Sequence, residues 1–216
     1  MLNFKSQVVT NFHENSYCIW SYNNTKAILV DPGGEPKKLL KFIKNLKISI
    51  TKILLTHGHI DHVGAAVFFS KLYRIPIIGP HIHDNFLLNN LPNQSKIFNI
   101  YPKISAFVPH RWLSDGDEIV VGSSVLKVIY CPGHSPGHIA LWNIEKKILI
   151  SGDIIFKYSI GRTDLLGGNT KQMKNSLIKK IFPLFNKSDR VKILPGHGET
   201  FFMDQEYIDF IHKTFL

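Results

Sequence analysis

Residues 56–62 read Thr56-His57-Gly58-His59-Ile60-Asp61-His62, three imidazoles and a carboxylate packed into six positions between a short strand and a helix. Gathering so many coordinating side chains is costly unless something binds them. His57 and His59, two apart in extended backbone, point the same way and can share one ion. Asp61 and His62 stand where the chain turns into the helix and can face a second ion beside the first. An ion needs more than two protein ligands, and further candidates sit in loops that follow other strands. His134 lies in Cys131-Pro132-Gly133-His134-Ser135-Pro136-Gly137-His138, Asp153 in Ser151-Gly152-Asp153, and His197 in Pro195-Gly196-His197-Gly198. A glycine directly precedes each, allowing the tight turn that delivers the side chain to one rim. Zinc accepts such a mixture of imidazole and carboxylate with no thiolate.

Outward from this cluster the chain divides into two blocks of similar order. Residues 4–9, 17–22 and 27–31 alternate as strands of an antiparallel meander, broken at Asn23-Asn24 and closed by Asp31-Pro32-Gly33-Gly34. Over 36–46, Leu39, Leu40, Phe42, Ile43 and Leu46 fall at helical spacing with lysines on the other face. A strand at 52–55 leads through the loop 56–62 into a helix from about 64 to 73, then a strand at 75–78. A short helix near 86–91 follows, and prolines at 92, 102 and 109 make the stretch up to Trp112 irregular. After Asp115-Gly116-Asp117 the pattern restarts, with strands at 118–121, 125–130, 139–142 and 148–151. A helix over 170–185, a strand at 191–194 and a helix at 204–212 complete it. Two halves, each a mostly antiparallel sheet with helices on one face, make a four-layer αββα sandwich, an α/β (α+β) fold. No linker separates them, so residues 1–216 read as a single domain.

The 216 residues carry 26 Lys+Arg against 16 Asp+Glu, a formal net charge of +10. That excess invites a nucleic acid or a membrane surface. Yet 22 of the basic residues are scattered lysines and only Arg74, Arg111, Arg162 and Arg190 are arginine, the better reader of phosphates and bases. The basicity therefore reads as a Lys-, Asn- and Ile-rich background, with no nucleic-acid partner and no membrane partner. No apolar run approaches the roughly 18 residues of a membrane span, and MLNFKSQVVTNFHENS lacks the apolar core of a secretory signal. Cys18 and Cys131 are too few for a disulfide framework, which sets the expectation of a reducing cytoplasm.

In chain order, THGHIDH, PGH, SGD and PGHG resemble the metallo-β-lactamase-fold hydrolases over nearly the whole sequence. Within that superfamily, VDPGG, LLTHGHIDHVGA, CPGHSPGH, SGDIIF and GRTD are most similar to the bacterial glyoxalase II (hydroxyacylglutathione hydrolase) type. The resemblance implies a sandwich of two mixed β-sheets and a binuclear metal centre. It places His57, His59 and His134 on one ion and Asp61, His62 and His197 on the other, with Asp153 bridging. The ions are expected to be Zn²⁺, with Fe or Mn as alternatives. Asp61 takes the catalytic role of holding the nucleophilic water. Arg162 occupies the place where the family sets a basic residue toward glutathione, and Lys157 and Tyr158 are further substrate-binding candidates. His138 reads as a hydrogen-bonding neighbour of the site and Cys131 as a small buried thiol. His13, His81, His83, His110 and His212 lie outside the motifs and read as surface or packing residues.

Two adjacent divalent ions lower the pKa of a shared water toward neutrality. A thioester releases a thiolate whose parent pKa is about 8.5, so it needs no general acid, unlike an amide nitrogen. The resemblance thus points to hydrolysis of a small anionic thioester such as S-lactoylglutathione. Two departures stand against full identity with that type. Only 19 residues follow His197, too few for the helical glutathione-binding extension, and Asp164 and Glu199 stand where those enzymes carry tyrosines. Rival readings on the same fold are a mono-iron glutathione-persulfide dioxygenase, whose members share a GRTD-like segment, and a lactonase. A nuclease would suit the charge, but those enzymes insert a large domain where only 18 residues separate His134 from Asp153 here.

Overall fold

Strand residues that alternate between two apolar faces build two sheets back to back. The computed structural model describes residues 2–22, 25–186 and 190–216, so the Asn23-Asn24 turn lies outside the described residues. The first half comprises β1 (Leu2–Val9), β2 (Glu14–Ser21), β3 (Lys26–Val30), α1 (Pro36–Leu46), β4 (Ser49–Leu54), α2 (Ile60–Val63), α3 (Ala66–Tyr73) and β5 (Ile77–Ile78). Its strands lie in the order β1-β2-β3-β4-β5. A single turn at Ile82–Asp84, then α4 (Asn85–Asn89) and α5 (Leu91–Ile97), lead to the second half. That half holds β6 (Glu118–Val121), β7 (Ser124–Tyr130), β8 (Ile139–Asn143), β9 (Ile148–Gly152), the hairpin β10 (Ile155–Phe156) and β11 (Ser159–Ile160), α6 (Thr170–Ser176), β12 (Val191–Pro195), β13 (Phe201–Met203) and α7 (Gln205–Phe215). The second sheet runs β13-β12-β9-β8-β7-β6.

Three apolar layers separate four structural ones. Between the sheets, Ile28 and Val30 of β3 meet Leu141 of β8 and Ile148 and Ile150 of β9. Outside the first sheet, Ala27 and Leu29 of β3 pack with Leu39 and Ile43 of α1 and Phe69 of α3. Outside the second, Leu149 of β9 and Ile193 of β12 pack with Met173 of α6 and Ile211 of α7. The αββα sandwich of two mixed sheets is therefore as the sequence implies. Among the described residues, no helix is long and apolar enough to cross a membrane.

Several details differ from the sequence expectation. The first sheet is not mostly antiparallel: β1, β2 and β3 form the meander, but β3–β4 and β4–β5 are parallel. Helical crossovers through α1 and through α2 and α3 return the chain to the same end of the sheet, and that connection makes parallel pairs. In the second sheet only β9 and β12 pair in parallel. Helix begins at Ile60, earlier than the periodicity suggests, so Asp61 and His62 stand in a first helical turn. Pro92 starts α5 instead of breaking it, since a first-turn proline sacrifices no hydrogen bond. Helix 170–185 changes character after Ser176, widening over Leu177–Ile181 and tightening over Phe182–Leu184 around Pro183. The short strands β10, β11 and β13 were too brief to carry a period of their own.

Candidate metal centre

Parallel strands end at one rim, and the motif residues follow those ends. Asp31 follows β3, the 56–62 segment follows β4, Asp153 follows β9 and His197 follows β12. His134 arrives at the same rim from the loop between β7 and β8. The backbone must pass very close to the side chains here. A methyl group at Gly196 would strike the Asp153 carboxylate and the His62 ring, and Gly152 holds φ at +47° with the His138 ring against it.

The donors fall into two triangles. In one, His57, His59 and His134 converge, with His59 Nδ1 3.0 Å from His134 Nε2. In the other, His62 Nε2 lies 3.3 Å from His197 Nε2 and 3.9 Å from an Asp61 oxygen, which is 3.4 Å from His197 Nε2. Nitrogens about 2.1 Å from one tetrahedral ion would stand about 3.4 Å apart, so these edges fit. Asp153 faces both triangles: Oδ1 is 3.4 Å from His62 Nε2, while Oδ2 is 3.4 Å from His134 Nε2 and 3.5 Å from His197 Nε2.

Hydrogen bonds on the far side of each ring aim its free nitrogen inward. His62 Nδ1–H donates to Asp31 Oδ2 (3.0 Å), His134 Nδ1–H to the Arg162 carbonyl (2.8 Å) and His197 Nδ1–H to the Phe12 carbonyl (2.9 Å). Thr56 Oγ1–H donates to Asp31 Oδ2 (2.6 Å), which leaves that hydroxyl to accept from His57 Nδ1–H (3.0 Å). Each imidazole so held turns its Nε2 inward. His57 Nε2 is buried with no hydrogen-bond partner, which fits an atom that ligates a cation. A third compact grouping, Asp31 with His57 and His62, spends its carboxylate on Thr56 and His62 instead.

Electrostatics follow this layout. Burial, with neighbouring imidazoles, holds His57 well below its ordinary pKa and His59 at about 3, keeping both neutral as ligands must be. Burial opposes charge on His197 too, yet hydrogen bonds to Asp153 and Asp61 outweigh it and lift its pKa to about 9. Burial would raise Asp153, but His62 and His197 hold it well below the carboxylate range. Both triangles fit divalent ions by donor type and spacing.

Other residues act through these. Asp31, the second residue of VDPGG, and Asp84 are given no role by the sequence reading. Asp84 is buried and accepts from Gly58 N (2.8 Å), Ser135 Oγ (2.7 Å) and Gly137 N (2.5 Å), tying the 56–62 loop to the His134 loop. Nothing in its polar surroundings marks it beforehand. His138, expected beside the site, accepts from Asp153 N–H (3.0 Å), stacks on His57 at 5.0 Å and directs its other nitrogen at Cys131 Sγ. Cys131 is a free, fully buried thiol, and Cys18 is also free and buried.

The triangles open into a cleft of about 430 Å³ whose walls include Phe12, Phe98, Phe156, Arg162 and Leu165. Arg162 stands at its edge, 62% exposed, paired to both oxygens of Asp164 at 2.7 Å. Lys157 and Tyr158 are not among the walls. Lys157 turns to Glu199 at 2.7 Å, and Tyr158 turns outward onto Tyr207 and Phe210; Phe156, before them, lines the cleft instead. Lys157 and Tyr158 form the turn between β10 and β11, with Tyr158 at φ +61°, and this turn carries both away from the cleft that Phe156 lines.

A profile described as the metallo-beta-lactamase superfamily matches residues 9–197. A hydroxyacylglutathione hydrolase of Haemophilus influenzae, GloC, is 37% identical over 206 residues, 95% of each chain. The BLEG-1 B3 metallo-beta-lactamase superposes with a TM-score of 0.84 at 28% identity, covering 99% of this chain and 98% of that one. TTHA1623, crystallised in a di-iron-bound form, gives a TM-score of 0.82 at 30% identity, covering 97% and 98%. With two sheets, a His/Asp rim and relatives matched along almost its full length, this chain belongs to the metallo-beta-lactamase superfamily.

Proposed function

We propose that this single domain is a binuclear metal-dependent hydrolase that cleaves a small anionic thioester, a glutathione conjugate of the S-lactoylglutathione type, in the cytoplasm. The observation that carries it is Asp153, whose carboxylate lies 3.4 to 3.5 Å from donors of both triangles, Oδ2 reaching His134 of one and His197 of the other. His57, His59 and His134 would hold one ion, Asp61, His62 and His197 the other, with Asp153 shared. Zn²⁺ suits this donor set, and Fe and Mn are alternatives. When bound, the ions supply an activated water and a Lewis acid for the carbonyl oxygen.

The protein's own contribution is positional. Asp31 and Thr56 fix the tautomer and tilt of His62 and His57, and Asp84 fixes the two loops against each other. Asp61, at the cleft wall, orients the attacking water toward a carbonyl held in the cleft. The water gives up one proton to solvent as its oxygen bonds to the carbonyl carbon, the C–S bond breaks and the sulfur leaves as a thiolate that solvent can reprotonate, so no protonating side chain is required. Arg162 is the one guanidinium on the cleft wall and faces the anionic thiol-bearing portion. The 37% identity to a hydroxyacylglutathione hydrolase supports the same substrate class.

The test assays purified, metal-loaded protein in parallel on S-lactoylglutathione, a small lactone and glutathione persulfide. Cleavage of the thioester above the lactone is expected. Oxygen uptake with the persulfide and no thioester cleavage contradicts the proposal.

A further inference from the structure

His197 is the more exposed of the two imidazoles in its triangle, its side chain 26% exposed where that of His62 is fully buried. Burial alone does not fix such a ring, and the loop Pro195-Gly196-His197-Gly198 that carries it is gripped from two sides. On one side β9 holds it, Gly196 N–H donating to the Gly152 carbonyl at 2.9 Å. On the other side stands the β1–β2 hairpin. Glu14 forms an isolated antiparallel bridge with His197, the Phe12 carbonyl accepts from His197 Nδ1–H, and Asn15 N–H donates to the Gly196 carbonyl at 2.7 Å. Tyr17 Oη–H donates to the Pro195 carbonyl at 2.7 Å.

The buried side chain of Asn15 completes this grip. Its Nδ2 donates to the Pro195 carbonyl at 3.0 Å and to the Gly198 carbonyl at 2.8 Å, spanning the loop on both sides of His197. Both amide protons are spent there. An aspartate would set oxygen against two carbonyls, and a serine has one proton to give. The first triangle has other supports, Thr56 for His57 and the Arg162 carbonyl for His134. We propose that Asn15 is a positioning residue for the second ion alone: by spanning the 195–198 loop it sets where His197 Nε2 stands relative to Asp61 and His62. This rests on the binuclear reading above and adds that the two ions depend on different parts of the chain, the second on the β1–β2 hairpin.

The experiment titrates metal-free protein with Zn²⁺ against a chromophoric chelator and counts bound ions by elemental analysis. It compares wild type, Asn15→Ala, Tyr17→Phe, His197→Ala and the Asn15→Ala/His197→Ala double variant. In Asn15→Ala one ion is expected to keep its affinity within about twofold while the other weakens by about tenfold or more. Tyr17→Phe removes a single hydrogen bond to the same loop and should weaken the same ion by about threefold. His197→Ala should bind one ion, and adding Asn15→Ala should leave that ion's affinity unchanged, because Asn15 acts through His197. Should Asn15→Ala fail to fold, Tyr17→Phe carries the same comparison. Equal weakening of both ions, unchanged affinities, or a further loss in the double variant overturns the positioning role and leaves the binuclear reading standing. A single ion per wild-type chain overturns both.

Discussion

His62 shows how one residue is prepared for its role. Its Nε2 faces Asp61, Asp153 and His197, and this aim depends on Asp31 receiving the proton of the opposite nitrogen. In Asp31→Asn the amide keeps the shape but can present only one acceptor oxygen to the three donors gathered there. A tenfold to hundredfold loss of metal affinity is expected, in the range of about 10–100 for such supporting partners. Chelator competition measures it, with Asp153→Ala losing far more and wild-type affinity in Asp31→Asn contradicting the positioning role. The cysteines give a second residue-scale outcome. Burial pushes Cys18 up to about 12 and Cys131 higher still. At pH 8 only about one Cys18 in ten thousand would be a thiolate. The native protein should resist a disulfide thiol reagent at that pH and bind two equivalents after denaturation; prompt native labelling would refute the burial.

At the scale of elements, the fold rests on strands that serve two cores at once. Ile150 in β9 points between the sheets, while its neighbour Leu149 points at the helices. Ile150→Ala should cost about 2–5 kcal/mol, whereas Ile144→Ala, at a position 74% exposed, should stay within about 0.5 kcal/mol. Urea unfolding midpoints decide between them, and equal shifts would contradict the layering. Legibility in the sequence followed the same physics. The continuous apolar run of β3, buried on both faces, and the periodicity of α1 are long enough to read. The two-residue strands β10 and β11 are not, because their pairing is fixed by a hairpin and not by any period. The mixed character of the first sheet needed the crossovers to be seen. Likewise the 56–62 cluster announced its own chemistry through dense spacing, but Asp84 did not. Its value lies in three donors that reach it from segments far apart in sequence, Gly58, Ser135 and Gly137. Lys157 and Tyr158 form the turn of the β10–β11 hairpin, whose short strands carry no period to show that Phe156 and not they would line the cleft.

For the whole molecule, the +10 charge acquires a local meaning. At the rim, Arg162 pairs with Asp164 and Lys157 with Glu199, so the site presents little unmatched basic charge. Long-range attraction of an anionic thioester then comes from the general positive field, and Arg162 acts only on contact. Between low salt and half-molar salt, kcat/KM should fall a few-fold, about threefold, while kcat holds steady. A salt-independent kcat/KM would mean the net charge plays no part in encounter.

The central claim is that two donor triangles and the shared Asp153 form one binuclear hydrolytic site. It is tested most directly by titrating metal-free protein with Zn²⁺, Fe²⁺ or Mn²⁺ while following bound metal and S-lactoylglutathione cleavage together. Two ions per chain are expected, with turnover rising as the second ion binds. Saturation at one ion per chain, or full metal loading with no thioester cleavage, would contradict it.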